Sequence, residues 1–345
     1  MKNPVPPSPA PYVRTLWPRR TRRIARLLGV AVAGALAAGS VAACHSEQQA
    51  TVATDQAVGA QVDAARITVI SPGEGPLESI RYHRERKGPS DYEMEIERGF
   101  DQQVAPANSA EAQAPKVADF AGQRETFRGK VNAQNDGTAG STLIISSVDE
   151  LSGQLSGPAT ALGLEGFQMG LSHTDQGQPT QVRFAAPTQA QDEDRQAAER
   201  LLGTVLSLPV VFPEEEIGVG AKWTVENRVT GGSTLLQTIT YTLKERQGDS
   251  VTVGVAIEQR PSQSSLQAED GTTLDVVGVE SSAAEPGAAG TITVDLQAPL
   301  PTRADVAFVT QIAYGGQRPK GAPDTAANEN RVTQQLLTRL HIAQD

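Results

Sequence analysis

The chain of 345 residues holds one cysteine. Cys44 carries its strongest nucleophile and ends a run of small residues, Val41-Ala42-Ala43. A thiol forms thioethers far more readily than a hydroxyl, and small flanking residues let a backbone enter a protease cleft. The four histidines are scattered. His45 adjoins the cysteine, His83 stands in the charged run His83-Arg84-Glu85, His173 precedes a turn, and His341 lies near the C-terminus. None has neighbours at the spacing that completes a metal shell. No phosphate loop, G-x-S-x-G elbow, H-E-x-x-H pair or EF-hand loop occurs. Glu214-Glu215-Glu216 reads as a solvated loop run. The sequence therefore nominates no catalytic, cofactor-binding or metal-ligating residue. It points to a non-enzymatic protein without a cofactor; a hydrolase with no recognisable motif is the third reading.

The residues before Cys44 decide what its thiol is for. Arg19, Arg20, Arg22, Arg23 and Arg26 form a basic region, and Leu27 to Ala38 is apolar. That order is a secretory signal, too short for a membrane span of about 20 apolar residues. Val41-Ala42-Ala43-Cys44 resembles the lipobox of bacterial lipoproteins; abundant Ala, Gly and Thr fit an actinobacterial member. The resemblance implies cleavage between Ala43 and Cys44 and a diacylglyceryl group, with palmitate-type chains, on Cys44. Residues 1–43 are then a signal peptide, and the mature chain is anchored at the extracytoplasmic face of the cell membrane. A single acyl chain binds marginally, at roughly 0.8 kcal/mol per buried methylene, whereas two hold durably. Thr21-Arg22-Arg23 leaves the general and twin-arginine export routes both open.

Charge narrows the partners. The chain carries −10, and residues 1–43 hold seven basic side chains and no acidic one. Loss of those seven positive charges leaves about −17 on the mature chain. Such a body repels nucleic acid and anionic headgroups. Membrane contact must come from the lipid anchor, and the remaining partner is a lipid or a protein.

The elements come next. Residues 44–65 are polar and small, and read as a lipidated N-terminus and flexible tether. A strand-rich body, 66–345, follows. Tyr92, Met94 and Ile96 alternate with Glu93, Glu95 and Glu97, which predicts a strand with one buried and one acidic, solvated face. Leu77 to Tyr82 reads as a short strand and 101–118 as a long loop. Asn135-Asp136-Gly137 and Asp175-Gln176-Gly177 mark hairpins, and Gly231-Gly232 and Gly248-Asp249 mark turns. Between Asp192 and Ser207 the period changes: Ala197, Ala198, Leu201, Leu202, Val205 and Leu206 share a helical face, acids fill the first turn, and Pro209 stops the helix. Arg331 to Ile342 fits a strand better than a helix.

The expected fold is α+β and strand-dominated: a curved, mostly antiparallel sheet or incomplete barrel with one main covering helix, about 192–207. Two packed sheets are the alternative, and 66–187 and 210–345 are possible halves. Ile67 to Glu74, with Arg81-Tyr82, and Leu208 to Pro213 followed by Ile217 to Trp223 resemble a family of uncharacterised exported bacterial proteins with a P-x-x-x-V-G-x-G-x-x-W motif. That family implies no activity. A looser similarity of architecture links it to mycobacterial lipid-carrier lipoproteins, whose half-barrels enclose an acyl-chain cavity. We expect a membrane-anchored envelope lipoprotein that binds a lipid or other hydrophobic ligand between sheet and helix; an interaction or scaffold module with a filled core is the rival. Trp223 either packs structurally onto the helix or lines a pocket, and burial is expected.

Overall fold

The computed structural model describes residues 52–106, 114–153, 159–230, 234–267, 273–283, 289–315 and 330–345. Residues 1–43, read above as a signal peptide, with Cys44 and His45, and the Gly231-Gly232 pair expected to turn, lie outside them. The chain opens with β1 (Val58–Gln61), β2 (Arg66–Ser71) and β3 (Glu74–Glu78). Next come β4 (Ser90–Pro106), β5 (Gln123–Asn135), β6 (Gly140–Gly153), the one-turn helix α1 (Ala161–Leu164), β7 (Gln168–His173) and β8 (Pro179–Ala185). Helix α2 (Asp192–Ser207) occupies the span the change of period predicts. The remainder is strand: β9 (Ile217–Val219), β10 (Lys222–Thr230), β11 (Thr234–Gln247), β12 (Ser250–Pro261), β13 (Ser265–Gln267), β14 (Thr273–Ala283), β15 (Gly290–Asp295), β16 (Arg303–Gly315) and β17 (Asn330–Gln344). Among the described residues no helix is long and apolar enough to cross a membrane.

The main sheet is antiparallel and has fifteen strands. Its path runs β1-β8-β7-β6-β5-β4-β17-β16-β15-β12-β11-β10-β2, with β14 also on β16 and β13 on β14. The two ends of that path, β1 and β2, are consecutive in the chain, joined by residues 62–65. Five residue steps span at most about 18 Å, so the sheet must curl until these ends nearly meet. The result is an incomplete barrel that does not close.

Period-two alternation explains which face turns inward. Tyr92, Met94 and Ile96 on β4, Ile239, Tyr241 and Leu243 on β11, and Val251, Val253 and Val255 on β12 are all buried in one core cluster. Helix α2 enters that cluster with Ala197, Ala198, Leu201 and Leu202, and the same cluster holds Phe167, Met169 and Phe184. Each such Leu or Phe contributes about 1.5–3 kcal/mol of burial free energy. The helix N-terminus is tied by Asp194, which accepts from the backbone N–H of Gln191 (3.0 Å) and of Thr160 (2.9 Å).

Four expectations need correction. Residues 52–65 are no free tether: β1 pairs with β8, the Asp55 N–H donates to Ala186 (2.8 Å), and Arg195 on α2 bonds Asp55 (3.0 Å). The unpaired edge of β8 offers backbone partners that a polar composition cannot announce. The halves 66–187 and 210–345 do not separate either, because β17 pairs with β4 along the whole length of β17 and β2 pairs with β10. That same pairing makes 101–106 strand rather than loop. Leu77 lies in β3, but Ile80 to Tyr82 lie outside any strand, and Ile80 and Tyr82 enter the core from a loop. Arg331 to Ile342 is strand, within β17.

Candidate functional site

Helix α2 ends at Ser207, capped by Leu208, and the chain then threads through the inside of the curved sheet. The carbonyls of three successive residues there are met by aromatic side chains: Tyr241 Oη donates to Pro209 (2.7 Å), Tyr82 Oη to Val210 (3.2 Å) and Trp223 Nε1 to Val211 (2.8 Å). The rings form a row, Tyr82–Phe212–Trp223–Tyr241, with centroids 5.5–5.9 Å apart, a favourable spacing for tilted aromatic pairs. Trp223 is fully buried. Its ring partners are Phe212 and Tyr241. The two resemblance motifs also meet: the Gly218 N–H donates to Pro72 (2.8 Å), and Gly73, at φ 83°, lies where any Cβ would strike Gly218 and Val219 backbone oxygens.

Beside this strap, at the C-terminal end of α2, is a cavity of about 70 Å³. Leu171, Val205, Leu206, Ile292, Leu300 and Ile342 are among its lining, together with Tyr82, Arg84 and His173. At roughly 30 Å³ per water it has room for about two waters or one small functional group. Leu201 and Leu202, in the middle of α2, are buried in the continuous core.

Arg84 is the unusual member. It is 5% exposed, and its Nε and Nη1 are sealed from solvent without a hydrogen-bond partner. Among the described residues no carboxylate forms an ion pair with it; its guanidinium stacks on the Tyr82 ring, 4.5 Å from the centroid. Burial lowers its pKa, opposed by the neighbouring Tyr82 and Asp175, but a guanidinium remains charged. It also holds φ 41°, the one positive φ on a described residue other than glycine. Local bonds impose that geometry. The backbone N–H groups of His83 and Arg84 share Leu296 O (3.0 and 3.1 Å), and Arg86 pairs with Asp295. His173 lies across the cavity with Nε2 3.2 Å from Ser141 Oγ and Nδ1 buried without a partner. Burial, then the charge of Arg84, pushes its pKa down to about 3.

In the sequence Arg84 stands in a charged run that water would solvate, and the one signal of its burial is its place two residues after Tyr82. His83 itself is half exposed, 3.6 Å from Asp249. His341 pairs with Asp305 (2.5 Å) at a larger open depression of about 500 Å³ on the outer face. There Arg339 pairs with Glu97 and Arg303 with Asp305 (3.1 and 3.0 Å), so those charges already have partners. Glu214, Glu215 and Glu216 are exposed. Among the described residues no group of three His, Cys, Asp or Glu side chains could hold a metal ion. No family model, curated protein or solved structure matches this chain.

Proposed function

We propose that this chain is a non-enzymatic envelope lipoprotein, held to the membrane through Cys44, whose barrel body binds a hydrophobic ligand at the α2 cavity. The observation that supports the reading is the cavity itself. It is lined chiefly by aliphatic side chains, sits where helix, strap and sheet meet, and is rimmed by the half-buried Leu206. Such concave, mostly apolar sites with a few polar groups are the usual form of ligand pockets. Its volume receives one end of a ligand, and the rest extends past Leu206 toward the surface. No acyl chain is placed beneath the middle of α2, where Leu201 and Leu202 are buried in the core.

One preparation tests both parts. Wild-type protein from its own envelope should partition into detergent and carry diacylglyceryl mass, and Cys44→Ser should partition into water. Native mass spectrometry of that aqueous form should show a bound organic compound, lost in Leu206→Trp, which fills the cavity rim without entering the core. A Cys44→Ser protein still carrying the lipid mass would refute the anchor. An unoccupied aqueous form would favour the scaffold module with a filled core.

A further inference from the structure

We propose that the α2 cavity is a carboxylate receptor, with the Arg84 guanidinium as the group that takes the anion. The inference rests on the reading of this cavity as the ligand site and deepens it. A buried cation without an ion-pair partner destabilises a fold by several kcal/mol, and a backbone at φ 41° adds strain that persists only where the surroundings enforce it. Arg84 has both features, and its backbone is clamped by Leu296 O and its guanidinium by the Tyr82 ring. Tyr82 in turn is fixed through Val210 O, and its N–H donates to Asp175 O (2.7 Å). The guanidinium is therefore held in place with hydrogen-bonding capacity unused, beside a space of about 70 Å³.

The planar fork of a guanidinium matches a carboxylate, and such charge-assisted bonds are about twice as strong as neutral ones. A carboxyl group fits the volume, and Leu171, Val205, Leu206 and Ile342 would meet the carbons behind it. The other titratable side chain in that lining besides Tyr82 is His173, whose ring is neutral at physiological pH. Asp175, the anionic neighbour, is exposed on the turn after β7. Two sources offer this chemistry: a short-chain organic acid, or the head of a longer fatty acid.

The test uses the full chain carrying Cys44→Ser, so that no detergent competes for the site. Calorimetric titrations at neutral pH compare octanoate, octanol and propionate, on this protein and on its Arg84→Met form. Octanoate should bind about tenfold or more tightly than octanol, and Arg84→Met should abolish that preference while leaving octanol affinity within about threefold of the parent. Octanoate tighter than propionate supports a fatty-acid source; equal affinities support a short acid. Equal binding of octanoate and octanol, or a preference that survives Arg84→Met, overturns the carboxylate receptor and leaves the hydrophobic site standing. Arg84-dependent binding of the acids without octanol binding supports the receptor and refutes the hydrophobic reading. No binding of any of the three overturns both. Thermal melting supplies a second readout. Ligand-free Arg84→Met should melt at or above the parent temperature, because an unpaired buried charge is gone. A marked drop would make Arg84 a structural residue and overturn the proposal.

Discussion

Individual charged residues here depart most from the sequence pattern. Glu97 belongs to the acidic alternation of β4, yet it is buried between Arg124 (2.6 Å) and Arg339 (3.1 Å), unlike exposed Glu93. Glu125 on β5 is fully buried 3.5 Å from Arg200 of α2. His173 gives this scale its pH dependence. Its folded pKa of about 3 lies below the ordinary 6.5. Below pH 6.5 the unfolded chain therefore binds a proton that the native ring refuses. The neutral ring's contribution is complete above 6.5 and is lost as pH falls toward 3. Between about pH 6.5 and 3.5 the protein should lose on the order of 2–4 kcal/mol more stability than His173→Gln. Urea unfolding of both proteins across that range is the measurement, and parallel pH profiles would show that the ring is not held neutral by burial.

Among the elements, the strap after α2 is the most constrained. Leucine, proline and valine there carry no hydrogen-bonding side chains, so its carbonyls depend on Tyr241, Tyr82 and Trp223. Gly177, in the β7–β8 turn, makes room for it. At φ 90° a Cβ would lie 2.5 Å from the Tyr82 ring and 2.6 Å from Val210 O. Both the conformation and the space exclude a side chain. Gly177→Ala should therefore cost about 1–3 kcal/mol and shift Trp223 emission to the red, as strap and ring row separate. Unchanged emission with unchanged stability would mean the turn relaxes independently of the strap. A second element-scale feature has no apolar counterpart in the pattern. Gln237 donates to Ser207 O (2.7 Å), Gln259 to Gln237 (2.7 Å) and Thr310 to Gln259 (2.8 Å). This buried ladder links β11, β12 and β16 to the end of α2, and each bond satisfies a group that would be costly to bury alone.

For the whole molecule, the decisive feature is how the sheet ends. The ends of its main path are β1 and β2, and the short link 62–65 brings them near one another without pairing them. The core strands alternate strongly and do not need β1 for burial; β1 covers the backbone of β8. A chain lacking residues 52–61 should then keep its far-ultraviolet strand signal but expose β8 as a free edge, which recruits other strands. Sedimentation should show concentration-dependent association absent from the parent. A monomeric deletion form would show that the β8 edge is protected by other means.

Local chemistry was legible without any structure. Residues 192–207 form a helix because apolar side chains recur at its period and acids occupy its first turn, with Pro209 beyond. The strands of β4, β11 and β12 follow from alternation, and the hairpins after Asn135 and Asp175 from residues that accept turn geometry. Burial of Trp223 followed from its place at the head of an alternating strand. The lipobox reading of Ala43 and Cys44 likewise rests on local residue order alone. Pairing was not legible in the same way. β4 meets β17 more than two hundred residues later, and β2 meets β10, because register depends on which distant faces can be buried together. The candidate site belongs to that second class. A sequence window shows Arg84 among His83, Glu85 and Arg86, a run that water would ordinarily solvate. Only the folded chain brings Leu296, Tyr82, α2 and β7 around it, and so turns a surface cation into a buried, unpaired one.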